Sequence, residues 1–185
     1  MRRTLLISIT LLLAAAAARP DQQNAPPLPA PPRCDSAEHR QFDFWIGSWR
    51  VESPEGKLLG TNRITRRLND CVLHEHWEGA GGMVGESFNV WSRAKKRWHQ
   101  TWIDSTGVLL LLDGGIEDGS MRLSGESQRR DGTEVMNRIT WTPLEQERCR
   151  GCVRQLWEQS SDGGKSWSAV FEGIYRPAPA GEGPE

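Results

Sequence analysis

The sequence predicts an all-β chain: a single antiparallel β-barrel of about ten strands with a short N-terminal helix. Three observations predict it. Strand-length segments recur between turn residues from Ser48 to Arg176. In several of them large apolar side chains alternate with polar ones, the period of a half-buried strand. Beyond one turn at Ser36 to Phe42, the body carries no sustained helical repeat. Ten hairpin-linked strands leave two open edges, and closure into a barrel removes them. A two-sheet sandwich is the competing architecture.

The ends of the chain read differently from the body. Arg2 and Arg3 precede an apolar run from Leu5 to Ala18 that finishes in small residues. This is the layout of a signal peptide, so residues 1–18 are expected to be cleaved and the protein to be secreted or periplasmic. The run is shorter than the ~20 apolar residues of a membrane span, and no stable anchor is expected in the mature chain. Residues 19–33 are rich in Pro, Ala and Gln and are expected to be a disordered tether. Residues 177–185 read as a similar tail. The barrel domain is then 34–176, one domain's length. The formal charge is −1, and no basic block offers a grip on nucleic acid.

The strands expected in order are Ser48–Glu52, Leu58–Arg67, Val72–Glu78, Met83–Trp91, Arg97–Ile103, Val108–Asp113, Ser120–Gln128, Thr133–Thr142, Val153–Gln159 and Ser166–Arg176. Gly, Asn and Asp mark the turns between them, as at Pro54-Glu55-Gly56, Asn69-Asp70, Glu117-Asp118-Gly119 and Asp131-Gly132. The run Ser160-Ser161-Asp162-Gly163-Gly164-Lys165-Ser166-Trp167 matches an Asp-box hairpin. There the Asp satisfies turn N–H groups while the Trp packs beneath. It occurs once, so a propeller built from repeated boxes is not supported.

Four Cys allow three pairings. Cys34 with Cys71 and Cys149 with Cys152 are favoured. Arg150-Gly151 would be the two-residue turn of a hairpin whose flanking residues oppose each other within disulfide range. Cys34 would staple the tether's end to a strand. The competing reading of Cys149-x-x-Cys152 is a redox or zinc motif. The alternating segment after it is a strand rather than a helix, and no second Cys-x-x-Cys supplies a zinc site.

Alternation assigns faces. Burying the Trp-bearing faces puts Glu75, Trp77, Trp98, Gln100 and Trp102 inside, with Ser87, Asn89, Val135, Asn137, Ile139, Gln155, Trp157, Phe171 and Tyr175. Glu75, Gln100, Asn137 and Gln155 are polar positions between large apolar ones. Such groups either line a ligand cavity or bond one another in a filled barrel.

The candidate ligand-binding set is Glu75, Trp77, Ser87, Asn89, Trp98, Gln100, Trp102, Asn137, Trp157 and Tyr175. The expected occupant is a small apolar or amphipathic molecule, with Glu75 and Gln100 orienting its polar end. Glu75 is also the one candidate acid or base, since burial raises a carboxyl pKa; Gln100 or Tyr175 would be its partner. His74-x-His76 shares one strand face, but that face is assigned to solvent, and no metal or cofactor is expected. Val108-Leu109-Leu110-Leu111-Leu112 lacks alternation. Some of these side chains must face solvent, a flap or a second copy, which makes the run a candidate homodimer contact.

Taken together, Phe42 to Val51, Glu75-His76-Trp77, Trp98-x-Gln100-x-Trp102-x-Asp104 and the Ser160 to Trp167 hairpin resemble a bacterial family of secreted proteins, a domain of unknown function with a calycin-like barrel. The resemblance covers nearly all of Phe42 to Arg176 and implies the fold and an exported location. The Gly47-x-Trp49 step is also similar to the first conserved region of lipocalins, where an Arg near the last strand packs over the Trp; Arg176 is the residue that would fill that place. Nitrobindins share a similar opening and bind heme through a His on a late strand, but no His lies beyond His99 here. Two alternatives to the binding protein stand: an enzyme using Glu75, and an envelope protein–protein interaction module.

Overall fold

A computed structural model describes residues 33–145 and 149–179. The expected signal peptide, the tether before Arg33 and the end of the tail lie outside the described residues. The chain enters through a short helix, α1 (Ala37–Arg40), and one 3₁₀ turn (Asp43–Trp45). Ten strands follow: β1 (Gly47–Glu52), β2 (Leu58–Arg67), β3 (Val72–Gly79), β4 (Val84–Ser92), β5 (Arg97–Asp104), β6 (Leu109–Glu117), β7 (Ser120–Gln128), β8 (Glu134–Leu144), β9 (Cys152–Ser160) and β10 (Ser168–Pro177). Each pairs antiparallel with the next, and β10 returns to β1, so the sheet is a closed barrel. Closure runs through Trp49–Glu52 against Ile174–Pro177. The sandwich alternative is thereby excluded.

Several strands run past their expected ends. β10 reaches Pro177 and the Ala178 N–H donates to Ser48 O, so ordered chain extends into the segment read as tail. Its expected first residues, Ser166 and Trp167, belong instead to the Asp-box loop. There Asp162 accepts from the Ser166 N–H and hydroxyl, and the Trp167 indole donates to Gly164 O. β6 continues to Glu117 because Gly114 and Gly115 keep pairing with β7. The Leu run alternates after all. Leu110 and Leu112 are buried at 3% and 1% exposure, whereas Leu109 and Leu111 are 54% and 50% exposed. Leucine on both faces hides the period from the sequence.

The up-and-down order puts the odd-numbered hairpins, from β1–β2 to β9–β10, at one end of the barrel. The even-numbered hairpins lie at the other, and the N-terminal helical segment closes that end. Phe42 stacks on Trp45 at 4.8 Å and meets the edges of Trp98 and Trp141 at 5.7 and 5.2 Å. The Trp49 indole donates to Trp45 O, and Gly47 at φ 155° lies beneath the Trp49 ring. A Cβ at Gly47 would stand 3.2 Å from that ring, which is the local reason for glycine two residues before the Trp.

Both favoured disulfides are formed, with Cα–Cα separations of 4.9 Å for Cys34–Cys71 and 5.3 Å for Cys149–Cys152. Their settings differ from expectation. Cys71 sits in the β2–β3 turn rather than a strand. Cys149 lies in the β8–β9 loop, and the ladder partner of Cys152 is Leu144. The bridge therefore closes a turn inside a longer loop, with the Cys152 N–H donating to Cys149 O. No helix among the described residues is long and apolar enough to cross a membrane.

Candidate functional site

The open end of the barrel contains a cavity of about 80 Å³. Its mouth is built from Trp77 on β3, Met83 in the following turn, Trp102 on β5, Trp157 on β9 and Phe171 on β10. These side chains are packed on the core but not fully buried, apart from Trp77. Glycines seat two of the rings. A Cβ at Gly60 would stand 2.8 Å from the Trp77 ring, and one at Gly85 would collide with the Trp102 ring. A bulge at Val170 leaves that residue exposed and lets Phe171 turn inward against Trp77, edge-on at 6.0 Å.

Deeper in, Glu75, Gln100, Gln155 and Tyr175 supply the polar part of the lining, and Leu110, Ile139 and Trp141 the apolar part. The polar groups join one chain of hydrogen bonds across six strands. The Tyr175 hydroxyl donates to Gln155 Oε1. Asn62 donates to the Tyr175 hydroxyl at 3.3 Å and to Glu75 Oε1 at 2.7 Å. The Ser87 hydroxyl donates to Glu75 Oε2 at 2.6 Å. Asn89 donates to Ser87 Oγ, and Gln100 donates to Asn89 Oδ1 at 2.9 Å. Every hydrogen bond that Glu75 receives comes from a neutral group.

Glu75 is only 4% exposed. Burial disfavours its charged form and outweighs the Ser87 and Asn62 hydrogen bonds, raising its pKa from the ordinary 4.5 to about 7. Burial, reinforced by the Glu75 charge, also holds the Tyr175 hydroxyl well above its usual range. No ion pair among the described residues involves Glu75. Two buried atoms beside this network have no hydrogen-bond partner among the described residues: Asn62 Oδ1 and the indole nitrogen of Trp141. Trp141 lines the cavity, whereas Asn62 lies behind Glu75.

Six of the ten candidate residues line the cavity: Glu75, Trp77, Gln100, Trp102, Trp157 and Tyr175. Ser87 and Asn89 lie behind Glu75 and Gln100 and act through them. Trp98 belongs to the closed end, where its indole donates to Gln41 Oε1 at 3.2 Å. Asn137 forms a separate knot: it donates to Ser127 Oγ and accepts from Trp157 and Gln159 at 3.0 Å each. Its polar atoms are used within the wall, so it orients Trp157 rather than a ligand. Met83, Leu110, Ile139, Trp141, Gln155 and Phe171 were missed as lining residues. Ile139, Gln155 and Phe171 share the inward face already assigned to them. Trp141 continues the inward phase of Val135, Asn137 and Ile139, and Met83 becomes visible only when the strand ends meet.

Outside the cavity, His74 and His76 lie on the outer face and both approach Glu86, at 3.1 and 3.4 Å. No group of His, Cys, Asp and Glu side chains among the described residues is arranged to hold a metal ion. Arg176 also faces outward, bonded to Glu52 at 2.9 Å and beside Cys149 Sγ, while Trp49 is inside. It does not cap the Trp; Tyr175 packs against that ring instead. Neither the family models nor the curated proteins contain a match to this chain.

Proposed function

We propose that the protein is an exported binding protein that takes a small apolar or amphipathic molecule into the open end of its barrel. The observation that carries this reading is the cavity itself: a ring of Trp and Phe side chains leading to a single buried carboxyl and its amide partners. Ligand sites pair apolar walls with a few directed polar groups. The volume sets the size of the buried part. An apolar cavity of ~150 Å³ takes a benzene, so 80 Å³ suits about three to five non-hydrogen atoms. A longer ligand would keep its remainder at the mouth, among Trp102, Trp157 and Phe171. Two disulfides accord with an oxidising compartment.

The test is titration of the disulfide-bonded chain with tert-butanol, tert-butylammonium and trimethylacetate, followed by tryptophan fluorescence. Saturable binding of at least one is expected, weakened about tenfold or more in Trp102→Ala with the fold intact by circular dichroism. Absence of saturable binding for all three would overturn the reading.

A second reading rests on one observation, a buried carboxyl titrating near neutrality beside the Tyr175 hydroxyl, which suits a general acid or base. It predicts that Glu75→Gln abolishes turnover of a bound molecule while retaining its affinity.

A further inference from the structure

Accepting the cavity as a binding site, we infer that its ligand is a small organic cation, an alkylammonium whose nitrogen lies against Glu75 and whose carbons lie among the indoles. The argument begins with charge. Among the described residues twelve line the cavity, and none is Lys, Arg or His. Glu75 is the one acid among them. A carboxylate in a dry wall without a cationic partner is costly, because its charge is removed from water and not offset. Its two oxygens receive one hydrogen bond each from Asn62 and Ser87. An ionised carboxylate has about four acceptor sites, so capacity remains for a charged donor.

The walls favour the same sign. Trp77, Trp102, Trp141, Trp157, Phe171 and Tyr175 all contribute to the lining. Aromatic faces carry negative quadrupole density, and a cation over Trp gains about 0.5–2 kcal/mol. An anion would meet both the carboxylate and those faces. A neutral molecule of the same shape would gain the apolar contact but leave Glu75 unpaired. The size fits as well, since tert-butylammonium is within the ~3–5 heavy atoms the cavity admits.

Asn62 from β2 and Ser87 from β4 bond Glu75 directly, and Gln100 from β5 and Tyr175 from β10 stand one hydrogen bond further along, on Ser87 and Asn62. Tyr175 is the one titratable group among them, and burial keeps it neutral through the neutral pH range. A bound cation therefore draws its counter-charge from Glu75 alone, and its binding favours the ionised form of that carboxyl.

The three probes separate this inference from the reading beneath it. At pH 8, tert-butylammonium should bind about tenfold or more tighter than tert-butanol, which has the same number of non-hydrogen atoms. The preference should shrink at pH 5.5. Calorimetry at pH 7 in buffers of different ionisation enthalpy should register proton release for the ammonium and none for the alcohol. Glu75→Gln should erase the preference of the ammonium over the alcohol. If the wild-type chain binds the alcohol as tightly as the ammonium at pH 8, the cation inference fails and the cavity reading stands. If the ammonium binds tighter but Glu75→Gln leaves that preference intact, Glu75 is not its partner and the inference also fails. If none of the three binds a folded chain, the cavity reading itself is wrong.

Discussion

Glu75 concentrates the chemistry of this molecule in one side chain, and its linkage to folding has a definite sign. Its carboxyl is raised from 4.5 to about 7 by burial, so the folded state holds this proton more tightly than the unfolded chain does. That contribution is fully present below pH 4.5 and is lost as pH rises through about 7. The loss is on the order of 3 kcal/mol, from ~1.4 kcal/mol for each tenfold difference in proton affinity. Urea denaturation between pH 5 and 8 should show stability falling across this window in the wild type. Glu75→Gln should flatten that slope and be the more stable protein at pH 8, because a neutral amide carries no buried charge. A slope unchanged by the substitution would assign the titration elsewhere. Asp162 works in the opposite direction. Hydrogen bonds from Ser166 and Ser160 hold its pKa down at about 2, and it stays ionised across the same window.

At the level of elements, the N-terminal segment and the Asp-box hairpin do different jobs at opposite ends. The 3₁₀ turn with Phe42 is a plug. Phe42 and Trp45 are fully buried, and their rings contact Trp98, Trp141 and Tyr175 from three strands. Phe42→Ala should cost about 3–5 kcal/mol, the range for emptying an aromatic site in a core, read as a lower urea midpoint at unchanged slope. A loss under about 1 kcal/mol would mean the plug is dispensable. The Asp-box hairpin holds its shape locally: Ser160 and Asp162 bind the turn, and the Arg138 guanidinium lies 4.1 Å over the Trp167 ring. It steadies the β9–β10 hairpin, whose strands carry Trp157 and Phe171 to the mouth. The box was legible as a motif because the hydrogen bonds that shape its turn fall within eight residues. Strand ends were less legible: pairing continued wherever a neighbouring strand offered a partner, as at Gly114 and Pro177.

Across the whole molecule, closure of the barrel and two covalent bridges define the folded unit. The Cys34–Cys71 bridge spans 37 residues and Cys149–Cys152 spans 3. In the chain-entropy account the longer loop restrains the unfolded chain more. Replacing Cys34 and Cys71 with Ala should therefore cost about 2–4 kcal/mol, and replacing Cys149 and Cys152 distinctly less, by urea denaturation of both variants. Equal losses would mean that native contacts, not loop closure, set the contribution of each bridge. Element identity and inward faces could be read from the chain because period-two alternation and turn chemistry are local. Glu75, Trp77, Gln100, Trp102, Trp157 and Tyr175 were recognised as inward for that reason. Local pattern could not say at which end of the barrel an inward residue lies. Trp98 and Trp102 share one face of β5, yet one joins the plug and the other the mouth. Nor could it reveal that Asn137 is satisfied within the wall while Glu75 is left without a counter-charge. Those outcomes depend on which strands become neighbours and where the N-terminal segment docks. Contacts between residues far apart in sequence are decided only when the sheet has closed.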